Sequence, residues 1–274
     1  MGFFDFLKKK EDGNKGGAPP PADKKVAGHA KVVADKRAQT YDRMESLQAL
    51  AEIHSAESAA ALLKRFSFSI DPSITDQDEK EVAFSGIVEA GRPGELPKDE
   101  KEREKLLADA TERRDKVVEA TRAYSEKAEQ LTWPLKVLRA LLGDDDYRDE
   151  LIAMLERFDT EYARNVEPKI QLLVELEEVH GEDRRESVEQ FLEDVNETVR
   201  FHAAEATFAH GNAESAAALC KMIVAEESVR VKNKVAEGFV RRGWVVPADQ
   251  REAVSKALRD TESYRLDASG KIVR

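Results

Sequence analysis

Apolar positions recur along most of this chain at intervals of three and four residues, the spacing of one face of a helix, and seldom alternate. DKRAQTYDRMESLQALAEI and AESAAALLKRF predict a helical hairpin over residues 35–66, parted at His54 and Ser55. A second helix is predicted after ITDQDEKE, with Thr75 or Asp76 as the cap, Glu79 completing a capping box, and an end at Gly91. Residues 99–130 read as one long charged helix with a thin stripe through Leu106, Ala110, Val117 and Tyr124, either kinked or projecting. LTWPLKVLRALLG follows, with Pro134 in the first turn and Gly143 as the stop. Its mate, YRDELIAMLERF, gathers Leu151, Met154, Leu155 and Phe158 on one face.

Three further pairs are predicted: EPKIQLLVELEEVHG with DRRESVEQFLEDV, NETVRFHAAEATFAHG with AESAAALCKMIVA, and ESVRVKNKVAEGFVRRG with ADQREAVSKALRD. The fold class is all-α, with about six stacked helix pairs. Only YRLDASGKIVR departs from it: short alternating segments around Asp267–Gly270 suit either a tight β-hairpin with a left-handed glycine or a frayed tail.

Repetition is the next signal. AESAAAL occurs at 56–62 and again at 213–219. On a helical projection of Glu197–His210, Val199, Ala203 and Ala206 share one stripe while Phe201, Ala204 and Phe208 lie nearly opposite, so this helix needs neighbours on two sides. Val199-Arg200 and Val229-Arg230 stand thirty residues apart, about one helix pair. Asp194, Val199-Arg200, Ala203-Ala204, Ala206 and Gly211, followed by a second helix, resemble a HEAT-like repeat of the short phycobilin-lyase type. The resemblance extends to residues 226–258 and implies an α-solenoid whose second helices line a concave face. Thr207 departs from the leucine usual at its place, and the hairpin at 36–66 has no Val-Arg pair.

The implied organisation is an amphipathic peptide at 1–10, a flexible Gly/Pro-rich linker at 11–27, a solenoid at 28–260 that is irregular at 92–130, and a tail or hairpin at 261–274. Charge narrows the function classes. The net charge is −11, but residues 1–40 hold nine Lys/Arg against five Asp/Glu, which makes the first segment +4 and the remainder −15. An acidic body disfavours nucleic acid as a partner. One cysteine excludes an internal disulfide, and the chain shows neither a membrane-spanning apolar run nor the pattern of a signal peptide, so a cytoplasmic location is expected.

The candidates for chemistry are sparse. His202 and His210, eight residues apart on one helix, sit roughly 12 Å apart along its axis, too far to share a metal. Cys220 reads as a packed thiol, and GDDDY at 143–147 as a helix start rather than a calcium loop. Trp133 and Trp244 suit core packing or a partner surface. Neither a metal nor a cofactor is called for, and the expectation is a non-enzymatic scaffold whose groove holds a protein partner, with Lys64, Arg65, Lys221 and Trp244 as its contact residues. The resemblance also implies two enzyme alternatives, a bilin lyase or a DNA glycosylase, the latter at odds with the acidic body. Phe3, Phe4, Phe6 and Leu7 would cluster on a short helix ahead of Lys8, Lys9 and Lys10, an arrangement suited to a membrane surface, to docking on a protein, or to an inert tail.

Overall fold

The computed structural model describes residues 21–179, 184–261 and 263–274. The expected anchor of Phe3, Phe4, Phe6, Leu7, Lys8, Lys9 and Lys10 lies outside these residues. Thirteen α-helices and one two-stranded hairpin are present among them, an all-α protein. None of the described helices is long and apolar enough to cross a membrane. The chain divides into two compact units, residues 1–121 and 122–274.

In the first unit, α1 (Pro21–Val33) starts inside the stretch expected to be linker: PADKKVAGHAKVV places Val33 and Ala30 in the core. α2 (Thr40–Ala51), α3 (Ala56–Leu62) and α4 (Ser73–Gly91) pack with it around Leu47, Leu50, Leu62, Ala83 and Ile87. Each such Leu or Ile contributes about 1.5–3 kcal/mol by leaving water. A 3-10 turn, Leu63–Ser67, ends the hairpin. α5 (Glu100–Ser125) carries the expected stripe in part: Ala110 and Val117 are buried, whereas Leu106 and Tyr124 are half-buried.

The capping box expected at the start of α4 is not formed. Pro72 is the N-cap residue, and Asp76 and Glu79 turn into the core instead. There Arg43 donates to Glu79 through both Nε and Nη2 at 2.9 Å, and Arg65 donates to Glu79 at 2.6 Å and to Asp76 at 2.7 Å. Lys80 completes the cluster on Asp76 at 2.7 Å. Burial alone would raise the Asp76 carboxyl, but hydrogen bonds from Lys80, Arg65 and the Ile70 amide hold it below its ordinary value.

In the second unit, α6 (Thr132–Leu141) has Pro134 in its first turn as expected. Gly143, however, is not its stop: it is the N-cap of α7 (Asp144–Leu155), whose first turn holds Asp144, Asp145 and Asp146. Carboxylates there face the positive end of the helix dipole, each worth about 0.3–1 kcal/mol. α8 (Glu167–Glu178), α10 (Glu197–His210) and α12 (Val229–Arg242) are the first helices of three successive pairs, and α10 packs against both α8 and α12. Val199, Ala203 and Ala206 on one stripe and Ala204 and Phe208 on the other are buried, while Phe201, expected on the second stripe, is only half-buried. The second helices are α9 (Arg185–Glu189), α11 (Ala216–Ala225) and α13 (Arg251–Ala257).

The two copies of AESAAAL share three buried places, Ser58 and Ser215, Ala59 and Ala216, Leu62 and Leu219, and differ at Ala61, buried, and Ala218, half-buried. They start differently. Ser55 and Ser58 form a reciprocal capping box at the first, whereas Asn212 caps a 3-10 turn, Ala213–Ser215, ahead of α11 at the second. At the C-terminus, β1 (Arg265–Leu266) pairs antiparallel with β2 (Ile272–Val273) across a turn in which Gly270 has a φ of +87°.

Candidate functional site

The frame that carries the site is a register of 32 positions between the last two pairs. Asn196 and Ser228 are N-caps, Val199 and Val231 are fully buried, and Gly211 and Gly243 both end their helices in the left-handed region. The register matches Val199-Arg200 with Val231-Lys232. It corrects the thirty-residue spacing of the Val-Arg dipeptides, because Val229 is exposed and Arg230 points elsewhere.

Each pair is then fastened by one cation near the start of its first helix and one carboxylate beyond its second. Lys169 lies 2.7 Å from Asp194, Arg200 2.7 Å from Glu226, and Lys232 2.6 Å from Asp260. Asp194 and Glu226 each stand two residues before the N-cap of the next first helix, and each accepts that residue's backbone N–H, from Asn196 at 2.8 Å and from Ser228 at 2.9 Å. Burial would raise the Glu226 carboxyl, but Arg200 and the Ser228 amide outweigh it and hold it low. One pair earlier the N-cap is Val166, which offers no side-chain cap, and the preceding Asn165 accepts the Glu167 amide at 3.1 Å.

This frame leaves one face of α12 outward. Arg230, Asn233, Lys234 and Glu237 follow i, i+3, i+4, i+7 and so share a stripe. With Phe201 of α10 and Ser263, Tyr264 and Arg274 of the C-terminal segment they enclose an open cleft of about 580 Å3. The Arg230 guanidinium lies 4.2 Å from the Phe201 ring centre and the Lys234 ammonium 5.3 Å from it. On the opposite wall Arg274 stacks on Tyr264 at 5.6 Å and donates to its hydroxyl at 3.3 Å. That wall is held in place: Val246 N–H donates to the Gly270 carbonyl at 2.8 Å, and Arg251 donates to Ser269 and Val246 carbonyls at 3.1 and 3.2 Å. Three cations and one carboxylate line the cleft among aromatic rings, with Glu197 3.3 Å from Arg230 and Glu205 3.5 Å from Lys234 outside the lining.

A second open cleft, of about 490 Å3 and of opposite sign, lies between α2 and α4 and carries Glu52, Glu81 and Glu89. His54 pairs with Glu89 at 3.4 Å at its rim.

The expected contact residues are not gathered into either cleft. Arg65 is 0% exposed and spent on Asp76 and Glu79, so the contact role expected for it does not hold. Lys64 is half-buried beside it, and Lys221 is exposed on α11. Trp244 is half-buried against Phe208 and Phe239, at 5.4 and 6.1 Å between ring centres. Trp133 is buried, with the Lys136 ammonium 4.3 Å over its ring. His202 bonds Glu177 at 2.8 Å and His210 is buried near the end of the same helix. Burial pushes the Cys220 thiol up to about 12, with Asp249 adding to the shift. Among the described residues there is no group of three or more His, Cys, Asp or Glu side chains placed to hold a metal ion.

The described residues thus define an all-α protein with two open clefts, one acidic and one lined by cations and aromatic rings. Comparison of the chain with protein-family models, with curated proteins and with solved structures finds no match.

Proposed function

We propose that the chain is a non-enzymatic protein-binding scaffold, a HEAT-like α-solenoid that recognises a partner along its helix pairs and is positioned by its N-terminal peptide. The observation that supports this best is the register of 32 between Asn196–Gly211 and Ser228–Gly243, with its fastening ion pairs. Helices buried on two sides and locked at both ends form a stiff repetitive frame, and such frames serve chiefly to present long surfaces. The aromatic and arginine content of the cleft beside α12 fits that reading, since those residue types dominate binding energy in interfaces.

Immobilised full-length protein is expected to retain a defined protein from its native extract in near-stoichiometric amount. Turnover of a small molecule with no protein retained would overturn the proposal. For the N-terminal peptide, sedimentation with anionic liposomes is compared between the full chain and one lacking residues 1–10. Equal sedimentation of both removes the peptide as an anchor.

A further inference from the structure

We infer that the cleft of Phe201, Arg230, Lys234, Tyr264 and Arg274 is the docking site for an acidic peptide segment of a protein partner, one that sets carboxylates around an apolar side chain. The inference rests on the scaffold reading and supplies the chemistry of its partner.

The first ground is charge complementarity against the molecule's own background. A chain of net charge −11 repels anions in general, yet the lining of this cleft holds three cations and one carboxylate, Glu237, with Glu197 and Glu205 set beside Arg230 and Lys234 outside the lining. The field there is short-ranged, so it selects a compact acidic motif rather than a long polyanion such as nucleic acid, which would also meet the acidic body.

The second ground is how the cations are held. The Arg230 side chain is 56% exposed, and its ion-pair contact within the chain is a 3.3 Å one to Glu197, itself well exposed. Lys234 has only long contacts, 3.5 Å to Glu205 and 3.7 Å to Glu237. The Arg230–Glu197 pair is exposed and weak, so an incoming carboxylate can replace it at little cost, whereas the Lys234–Glu205 pair, 25% and 17% exposed, is the less readily replaced. By contrast Lys169 and Lys232 hold their carboxylates at 2.7 and 2.6 Å and are buried, and they are unavailable.

The third ground is preorganisation. Phe201 and Tyr264 are half-buried, each with a cation stacked on its ring, and they stand on two walls that the repeat frame and the β-hairpin fix independently. An apolar side chain between the rings would displace water, while its acidic neighbours meet the guanidinium groups. The volume of about 580 Å3 lies within the range of sites that enclose a small ligand or a few residues of peptide.

The test is selection from a random twelve-residue phage-display peptide library on the intact protein, followed by fluorescence anisotropy of the enriched peptides. The expected result is enrichment of peptides with two or more Asp or Glu flanking an aromatic or aliphatic residue. Their affinity should fall at least tenfold in Arg230→Gln/Lys234→Gln and between 50 and 300 mM salt. Arg274→Gln, on the other wall, is expected to weaken binding independently, with circular dichroism and melting of each variant matching the parent. Enriched peptides lacking acidic residues, or binding unchanged in these variants, overturn the cleft while leaving the scaffold reading intact. Tighter binding of a labelled single-stranded oligonucleotide than of any peptide at 150 mM salt also overturns it. Absence of any enriched peptide counts against the cleft alone; the scaffold reading falls only if the native extract also yields no partner.

Discussion

Lys169 Nζ lies 2.7 Å from Asp194 Oδ2, with the two side chains 1% and 0% exposed, and the ammonium also donates to the Asp159 carbonyl at 2.9 Å. Two charges removed from water are tolerable only because each satisfies the other. Lys169→Met leaves Asp194 buried without its counter-ion and is expected to cost about 3–5 kcal/mol in urea unfolding followed by circular dichroism. Lys169→Met/Asp194→Leu should recover much of the loss. Lys232→Met at the next-but-one position of the same ladder should cost only about 1 kcal/mol, since its partner Asp260 is 61% exposed. Equal losses at both positions would contradict the burial argument.

Gly238 sits where the preceding pair has Ala206, and a Cβ added to it would come within 2.2–2.5 Å of the Phe208 ring. Alanine in a helix interior ordinarily gains up to about 1 kcal/mol over glycine. At Gly238 overpacking of about 1–3 kcal/mol overrides that gain. Gly238→Ala should therefore lower the melting temperature, and it should shift Trp244 emission, because Phe208 also contacts that indole. Gly28→Ala in α1, with nothing within 4 Å, should be neutral or stabilising.

Acid should weaken both units through carboxyls held below their ordinary values. Asp76 and Glu226 stay ionised in the folded chain at pH values where the unfolded chain, with carboxyls near about 4, takes up protons. Stability from both is complete above that range and is lost as pH falls below it towards the folded values. Melting temperatures between pH 7 and pH 3 should fall, and Asp76→Asn should start lower at pH 7 and fall less steeply. A profile for Asp76→Asn parallel to that of the parent would refute the linkage.

The Cys220 thiol, raised to about 12 by burial, should be nearly inert in the folded protein. At pH 8 its thiolate fraction is smaller than that of an ordinary cysteine by roughly a thousandfold. Iodoacetamide labelling followed by mass spectrometry should be slow in buffer and fast in urea. Fast labelling in buffer would mean that α11 opens readily.

Much of the helical framework was legible because periodicity reports burial directly: the two faces of α10 and the left-handed stop at Gly211 follow from residue types alone. Register was less legible. Val229-Arg230 has the same letters as Val199-Arg200, yet the buried pair is Val231-Lys232, because what repeats is a buried valine beside any long cation that reaches a carboxylate. Asp76 and Glu79 have capping-box spacing, but the Glu79 side chain went to Arg43 and Arg65, 36 and 14 positions away, and that of Asp76 to Arg65, 11 positions away, partners that no local pattern names. The cleft was missed because three separated segments build it. Its signal in the sequence was the polar stripe of Arg230, Asn233, Lys234 and Glu237 on a helix otherwise committed to the core.

The place of Asp194 and Glu226, two residues ahead of Asn196 and Ser228, has a consequence for how such a chain can lengthen or shorten. Removing residues 196–227 would leave Asp194 two residues ahead of Ser228, the distance it now keeps from Asn196. Lys169 would keep its carboxylate, the following helix its cap, and no buried cation would be orphaned. The same excision moved two or three residues earlier would put Glu226 in the place of Asp194, again two residues ahead of Ser228. What the chain can lose without stranding Lys169 is therefore set by the 32-residue length of the register, not by the point at which it is cut.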